Sequence, residues 1–171
     1  MPFALFAIVF LLLPSVACAW EARVANVHDG DTITVTLPGH GAHLRIRLYG
    51  IDAPELAQAG GREAAGALRG MLPIGRRVDV RHEGEDRYQR IIGVVTPLGE
   101  AMSVNERMVV MGHAWVYAQY CKRQSFCAPL YAQQKYAAAT RRGLWAEQNP
   151  QSPWTWRRER REGAGGTPRQ R

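Results

Sequence analysis

The chain has 171 residues, a length that fits one domain with short terminal segments rather than several domains. Its 22 Lys and Arg residues outnumber 15 Asp and Glu residues, which gives a formal net charge of +7. Such an excess favours polyanionic partners through release of their counterions, although a basic surface without any partner has the same composition. Length and charge therefore argue against a large multidomain protein and leave the partner open.

The first nineteen residues contain no Asp, Glu, Lys or Arg. Residues 3–13 are nearly all apolar, and the Ala-Cys-Ala segment at 17–19 fits a small-residue cleavage site. This pattern predicts a signal peptide over residues 1–19 and an exported protein, either periplasmic or secreted. The apolar run is short for a bilayer span, so we expect no transmembrane segment in the mature chain. Lipidation of Cys18 is the alternative.

Short strands follow the leader. Residues 23–28 are typical of a first strand, and residues 33–37 and 42–48 alternate apolar with polar side chains. A period of two predicts half-buried strands. Turn residues separate the three segments, with Asp29-Gly30 in the first gap and the Pro-Gly-His-Gly stretch at 38–41 in the second.

Helical and strand segments then alternate. An Ala-, Leu- and Glu-rich helix is predicted over residues 62–72, strands over 77–82 and 91–95, a helix from Ser103 and a third helix over about 129–141. Glu106 lies three residues after Ser103, the spacing of a capping box. The order predicts an α+β protein, a five-stranded barrel of the oligonucleotide-binding (OB) fold with three helices.

The carboxyl-terminal segment differs from the rest. Residues 148–171 are rich in Pro, Gln, Arg and Gly, which predicts a flexible tail after a domain that spans residues 20–147. Within the tail, residues 154–161 mix Trp with Arg. This run could hold nucleic acid by stacking and charge, or it could be a solvated tail.

Removal of the leader leaves two cysteines, Cys121 and Cys127. In an oxidising compartment, a pair so close in sequence can form a disulfide. Two reduced and unrelated thiols are the alternative, and metal binding is disfavoured because no further His or Cys lies at ligand spacing.

Two acidic residues flank predicted strands at ends that a hairpin brings together. Asp31 opens the second strand and Asp52 follows the third, so antiparallel pairing places both carboxylates at one rim. Oxygen ligands suit a hard cation such as Ca²⁺, and the backbone carbonyl of Ala53 could add another. Asp is also common in turns, and that is the better interpretation of Asp29.

The same region supplies residues for phosphodiester chemistry. Glu55 follows Asp52 by three residues and could orient or deprotonate an attacking water, or could be a surface acid beside a helix start. Arg47 and Arg90 offer paired donors to phosphate oxygens, although either alone could be a solvated strand residue.

Three tyrosines could contact a base or sugar, namely Tyr88, Tyr117 and Tyr120. For Tyr117, packing into the core is an equally good interpretation.

The motifs together resemble the thermonuclease family, typified by staphylococcal nuclease. The matching segments occur in order at residues 27–32, 45–55, 86–90, 104–117 and 143–145, so the similarity covers residues 23–146. The resemblance implies an OB-fold barrel and a calcium-dependent endonuclease that cleaves DNA and RNA and leaves 3′-phosphate ends.

The resemblance also implies roles for individual residues. Asp31 and Asp52 match the calcium carboxylates, and Ala53 matches a position that binds calcium through its carbonyl, where the best-known member has Thr. Arg47 and Arg90 match the two catalytic arginines, and Glu55 matches the acid assigned as general base. Tyr117 or Tyr120 falls where the family places tyrosines that contact the nucleotide, with a shift in spacing. The Cys121–Cys127 loop is an addition.

The rival hypothesis is a non-catalytic OB-fold protein of the cell envelope that binds nucleic acid without cutting it. Retention of both carboxylates, both arginines and Glu55 argues against it. We expect DNA and RNA as the partners, no stable protein partner and a monomer.

Overall fold

The structure is a computed structural model that describes residues 19–165. The predicted leader lies outside the described residues except for Ala19, which begins the first strand. None of the helices described is long and apolar enough to cross a membrane.

Five strands close into a barrel, and two short strands pair beside it. The barrel order is β1-β2-β3-β6-β5, which confirms the predicted five-stranded OB-fold barrel. Strand β1 pairs antiparallel with β2 and β5, while β3 pairs parallel with β6. The strands are β1 (Ala19–Val27), β2 (Thr32–Thr36), β3 (His43–Leu48), β4 (Ile51–Asp52), β5 (Arg77–Glu85), β6 (Ile91–Pro97) and β7 (Trp115–Val116).

The alternation read from the sequence determines what fills the barrel. Residues at every second position of β2, of β3 and of β5 as far as Val80 point inward, and burial of each large aliphatic side chain contributes about 1.5–3 kcal/mol. Among the fully buried side chains are Val24, Ile33, Val35, Ile46, Leu48, Val78, Val80 and Val95. The same period leaves Arg45 and Arg47 of β3 on the outer face.

Within residues 19–165, four α-helices and a 3₁₀-helix surround the barrel, one α-helix more than predicted. They are α1 (Gly61–Met71), α2 (Val104–Val110), α3 (Gln124–Ala139), the 3₁₀-helix Gly143–Ala146 and α4 (Pro153–Gly165). The predicted capping box at Ser103 and Glu106 opens α2. Helix α3 begins at Gln124, earlier than predicted, because the Arg123 carbonyl already accepts the backbone N–H groups of Phe126 and Cys127.

The prediction of a flexible tail from residue 148 is wrong for residues 153–165, which form α4. The polar composition concealed an anchored first turn. Ser152 is buried, and its carbonyl accepts the backbone N–H of Trp156 at 3.0 Å. The Trp154 ring packs edge-on against Trp115, with ring centroids 5.7 Å apart. These contacts give the segment the apolar burial that the average composition did not suggest.

A buried amide connects the elements that carry the site. Asn105 in α2 is fully buried, and its Oδ1 accepts the backbone N–H of Val95 at 3.0 Å. Its Nδ2 donates to the carbonyl of Tyr49 at 3.0 Å and to that of Gly93 at 3.2 Å. Asn105 therefore holds β6 and the turn before β4 in a fixed relation, because a buried polar group needs these partners.

Candidate active site

Two buried carboxylates meet on one arginine at the rim of the barrel. Asp31 directly precedes β2, and Asp52 ends β4. Arg47 Nη1 donates to Asp31 Oδ1, and Arg47 Nη2 donates to Asp52 Oδ1 at 2.5 Å. Asp31 is 2% exposed and Asp52 is 0% exposed. The β2–β3 register explains why Arg47 lies next to Asp31, since Arg47 pairs with Thr32, the residue after Asp31.

The turn that carries Asp31 packs closely against the segment after β4. The second oxygen of Asp31, Oδ2, accepts the backbone N–H of Ala53 at 2.7 Å. A Cβ added at Gly30 would lie 2.6 Å from the Ala53 Cβ and 2.8 Å from the Ala64 Cβ. Glycine at position 30 therefore allows the close approach that brings the Asp31 turn onto Ala53 and α1.

Burial sets the protonation of this cluster. Burial raises the pKa of the Asp31 carboxyl to about 7, and the adjacent Arg47 guanidinium opposes that rise. Burial also tends to lower the pKa of Arg47, but the charges of Asp31 and Asp52 outweigh it and raise the pKa overall. Arg47 therefore remains a cation, and Asp31 titrates near neutral pH.

Helix α4 adds a second arginine, which the sequence analysis did not assign. Arg157 Nη2 donates to Asp52 Oδ2 at 2.6 Å. Its Nη1 donates to Glu55 Oε1 at 2.8 Å and to Asp52 Oδ1 at 3.2 Å. The mixed Trp and Arg run was the only sequence signal, and its i, i+3 spacing places Trp154 and Arg157 on one helix face.

Glu55 is the most accessible acid of the group, with a side chain that is 39% exposed. It lies beside Asp52 through the shared Arg157 guanidinium. An exposed carboxylate next to two buried ones is the member of the group that a water molecule can reach.

Arg90 is placed on the same side of the barrel but makes different contacts. It directly precedes β6, where Ile92 is the register partner of Arg47, so alternation puts Arg90 on the outer face with Arg47. Arg90 Nε donates to Asp86 Oδ2 at 2.7 Å. Within residues 19–165, no hydrogen bond or ion pair joins Arg90 to Asp31, Asp52 or Glu55.

The three tyrosines divide into two groups. Tyr117 stacks on Trp154, with centroids 5.1 Å apart and an interplanar angle of 5°, and it also contacts Tyr120 at 4.9 Å. Burial and the charge of Asp52 raise the pKa of Tyr117. Tyr88 is 64% exposed, and its ring lies under the Arg87 and Arg90 guanidiniums.

A disulfide joins Cys121 to Cys127, with Cα atoms 5.7 Å apart. The loop it closes lies against the turn before β4, where the Tyr49 hydroxyl accepts the backbone N–H groups of Lys122 at 2.9 Å and Arg123 at 2.8 Å. Gly50 has a φ of +76°, and a Cβ there would lie 2.7 Å from the Cys121 Sγ. The bridge thus helps to position the strand that carries Asp52.

The donor set fits a hard divalent cation. Asp31 and Asp52 contact the same guanidinium, so both carboxylates are within reach of one small ion. The described part of the chain contains no group of three or more His, Cys, Asp or Glu residues placed to hold a metal. Any further ligands would therefore be carbonyl oxygens, such as that of Ala53, or water.

A closed five-stranded barrel with acids and arginines at its rim defines an OB-fold protein with a candidate site for phosphodiester chemistry, and comparison with known proteins identifies the family. Residues 45–147 match the family described as staphylococcal nuclease homologue. The chain belongs to this family, as the motif resemblance predicted.

Three relatives illustrate the similarity. A protein of Escherichia coli described as an uncharacterized endonuclease is 41% identical over 152 residues, which cover 88% of this chain and 94% of its own. The micrococcal nuclease of Shigella flexneri is 39% identical over 150 residues, covering 82% and 83% of the two chains. A Haemophilus influenzae protein, also described as an uncharacterized endonuclease, is 38% identical over 147 residues, covering 84% and 78%.

Proposed function

We propose that this protein is an exported, calcium-dependent endonuclease that hydrolyses phosphodiester bonds of DNA and RNA and leaves 3′-phosphate ends. Membership in the staphylococcal nuclease homologue family, with relatives described as endonucleases and as a micrococcal nuclease, supports hydrolytic nuclease function on nucleic acids. The observation that carries the proposal is the Arg47 guanidinium bridging two buried carboxylates beside the accessible Glu55.

Arg47 is arranged to receive a phosphate without leaving its carboxylates. A guanidinium has five N–H groups, and in Arg47 two of them donate hydrogen bonds to Asp31 and Asp52. The remaining donors can hold equatorial phosphate oxygens as their negative charge grows in the transition state. The buried carboxylates keep the guanidinium fixed, so little reorganisation is needed when the substrate binds.

Glu55 would take a proton from water. Its side chain is 39% exposed, and Arg157 contacts only its Oε1, which leaves Oε2 to accept a hydrogen bond from a water molecule. Calcium held by Asp31, Asp52 and the Ala53 carbonyl would supply Lewis acidity and orient the phosphate. Formation of a 3′-phosphate breaks the bond between phosphorus and the 5′-oxygen, which must then gain a proton.

Arg90 would be the second phosphate ligand. It shares the outer barrel face with Arg47 and is held by Asp86 in the structure. To bind substrate, its guanidinium would donate to a phosphate oxygen in place of Asp86 or in addition to it, and its terminal N–H groups make no hydrogen bond within residues 19–165. Tyr117 and Tyr120 would contact the nucleotide.

The test is digestion of plasmid and single-stranded DNA by the purified protein with Ca²⁺ and with excess chelator. We expect cutting only with Ca²⁺, and fragments whose 3′ ends a polymerase extends only after phosphatase treatment. Glu55→Gln should lower the rate by about 10²–10⁴-fold. Glu162→Gln removes an equal charge from an exposed position of α4 and should leave the rate unchanged.

Tight binding of DNA without cutting in any divalent cation would instead support the non-catalytic binding protein. Export is tested separately by sequencing the amino terminus of the mature protein recovered from cells, where a start at Trp20 is expected. Size-exclusion chromatography with light scattering tests the proposed monomer.

A further inference from the structure

The guanidinium of Arg157 binds the carboxylate oxygens that a divalent cation would need. It contacts both oxygens of Asp52, at 2.6 Å and 3.2 Å, and one oxygen of Glu55 at 2.8 Å. Arg47 contacts Asp52 Oδ1 as well. Both oxygens of this fully buried carboxylate are therefore engaged by arginine donors.

The contacts around the first turn of α4 hold Arg157 in this position. The Trp154 ring stacks on Tyr117, and Gln58 Nε2 donates to the carbonyl of Gln151 at 2.8 Å just before α4. Gln58 is 6% exposed, so this hydrogen bond is shielded from water. The first turn of α4 is thus anchored, and it directs Arg157 onto the carboxylates.

We propose that Arg157 is a resident counter-cation of the site, and that a divalent cation binds Asp52 by displacing its guanidinium. The inference rests on the cation site of the proposed function. A guanidinium and a metal ion cannot both use the two oxygens of Asp52, because each requires close approach to the same lone pairs. Arg157 therefore weakens cation binding and stabilises the protein when no cation is bound.

Displacement does not require α4 to leave. The Arg157 side chain is 29% exposed and lies on a flexible aliphatic stem, so its guanidinium can swing toward water while Trp154 stays stacked. In the absence of both cation and Arg157, the buried Asp52 carboxylate would keep Arg47 as its only cationic partner within the described part of the chain. An undercompensated buried charge is costly, which gives Arg157 its stabilising role.

Calcium titration of the cation-free protein by calorimetry tests the inference without using activity. Arg157→Ala should bind Ca²⁺ with a dissociation constant lower by roughly 5–150-fold, the usual size of coupling between competing sites. The matched control is Arg158→Ala, which removes the same charge from an exposed neighbour on α4 and should stay within about twofold of the unmodified protein.

Urea denaturation provides the second measurement. In chelator, Arg157→Ala should unfold at a lower urea concentration than the unmodified protein. Saturating Ca²⁺ should reduce the difference between the two unfolding midpoints. A folded Arg157→Ala variant with unchanged or weaker Ca²⁺ binding would overturn the inference and leave the nuclease proposal standing. Ca²⁺ binding that tightens in Arg157→Ala, in a protein that cuts no nucleic acid, would support this inference and overturn the nuclease proposal. Absence of Ca²⁺ binding in all three proteins would overturn both.

Discussion

Arg47 compensates two carboxylates that have almost no contact with water, so its replacement should cost stability as well as activity. Asp31 is 2% exposed and Asp52 is 0% exposed, and each contacts one terminal nitrogen of the Arg47 guanidinium. We expect Arg47→Met to lower the free energy of unfolding. Met retains much of the aliphatic stem, so the change reports mainly on the lost charge and hydrogen bonds.

The size of the loss follows from the contacts that remain. Removing one partner of a buried ion pair costs about 3–5 kcal/mol. Asp52 keeps Arg157, so the uncompensated charge falls mainly on Asp31, and we expect the lower end of that range, about 3 kcal/mol at pH 8.

The loss should shrink as the pH falls. Burial raises the pKa of Asp31 to about 7, well above its ordinary 3.8, so the folded protein takes up a proton there before the unfolded chain does. A neutral Asp31 needs no counter-charge. The difference in unfolding free energy between Arg47→Met and the unmodified protein should therefore be smaller at pH 5.5 than at pH 8.

Urea denaturation followed by circular dichroism, with chelator present, gives the measurement. Arg45→Met is the control, because Arg45 lies two residues away on β3 and is exposed. A loss below about 1 kcal/mol for Arg47→Met at pH 8, comparable with that of an exposed arginine, would show that water or protonation already compensates the carboxylates and would refute the reasoning.

Two further predictions concern the elements that support the site. Asn105→Ala should lower the free energy of unfolding by about 3–5 kcal/mol, because it leaves the Val95 N–H and the Tyr49 carbonyl without their buried partner. Chemical denaturation measures this loss, and a value below about 1 kcal/mol would contradict the prediction. Replacing Cys121 and Cys127 together by Ser should lower the free energy of unfolding by about 2 kcal/mol, because the opened loop gains entropy in the unfolded chain. A thiol reductant should lower the free energy of unfolding of the unmodified protein to the same value and leave that of the double variant unchanged.

The barrel was predictable because its signals are local. Strands β2 and β3 show the period of two in their own residues, and Ser103 with Glu106 forms a capping box within one helical turn. The meeting of Asp31 and Asp52 was predictable in the same way, since hairpin pairing fixes which strand ends are neighbours.

The remaining parts of the site depend on contacts that no local pattern reveals. Arg157 lies 105 residues from Asp52 in sequence and belongs to a segment whose average composition is that of a solvated tail. Its position follows from Trp154, one aromatic ring whose burial is decided by the tertiary packing of Tyr117 and Trp115. Arg90 instead forms an i, i+4 pair with Asp86. The sequence motif could indicate its function but not this resting contact.

Closure of the barrel depends on pairings between parts of the chain that are far apart in sequence. Strand β1 pairs with β5 from Ala19↔Arg81 to Arg23↔Arg77, and β3 pairs with β6 through Ile46↔Ile91, so both closing contacts join distant parts of the chain. Before β5 and β6 have been synthesised, the β1–β2–β3 sheet has two unpaired edges. Such long-range pairings fold slowly, on the scale of milliseconds to seconds, and a chain that ends before Ile91 would expose strand edges prone to association with other chains. Strand β4, which carries Asp52, pairs with β7 through Asp52↔Trp115, so this carboxylate gains its strand partner only after the polypeptide has passed its midpoint.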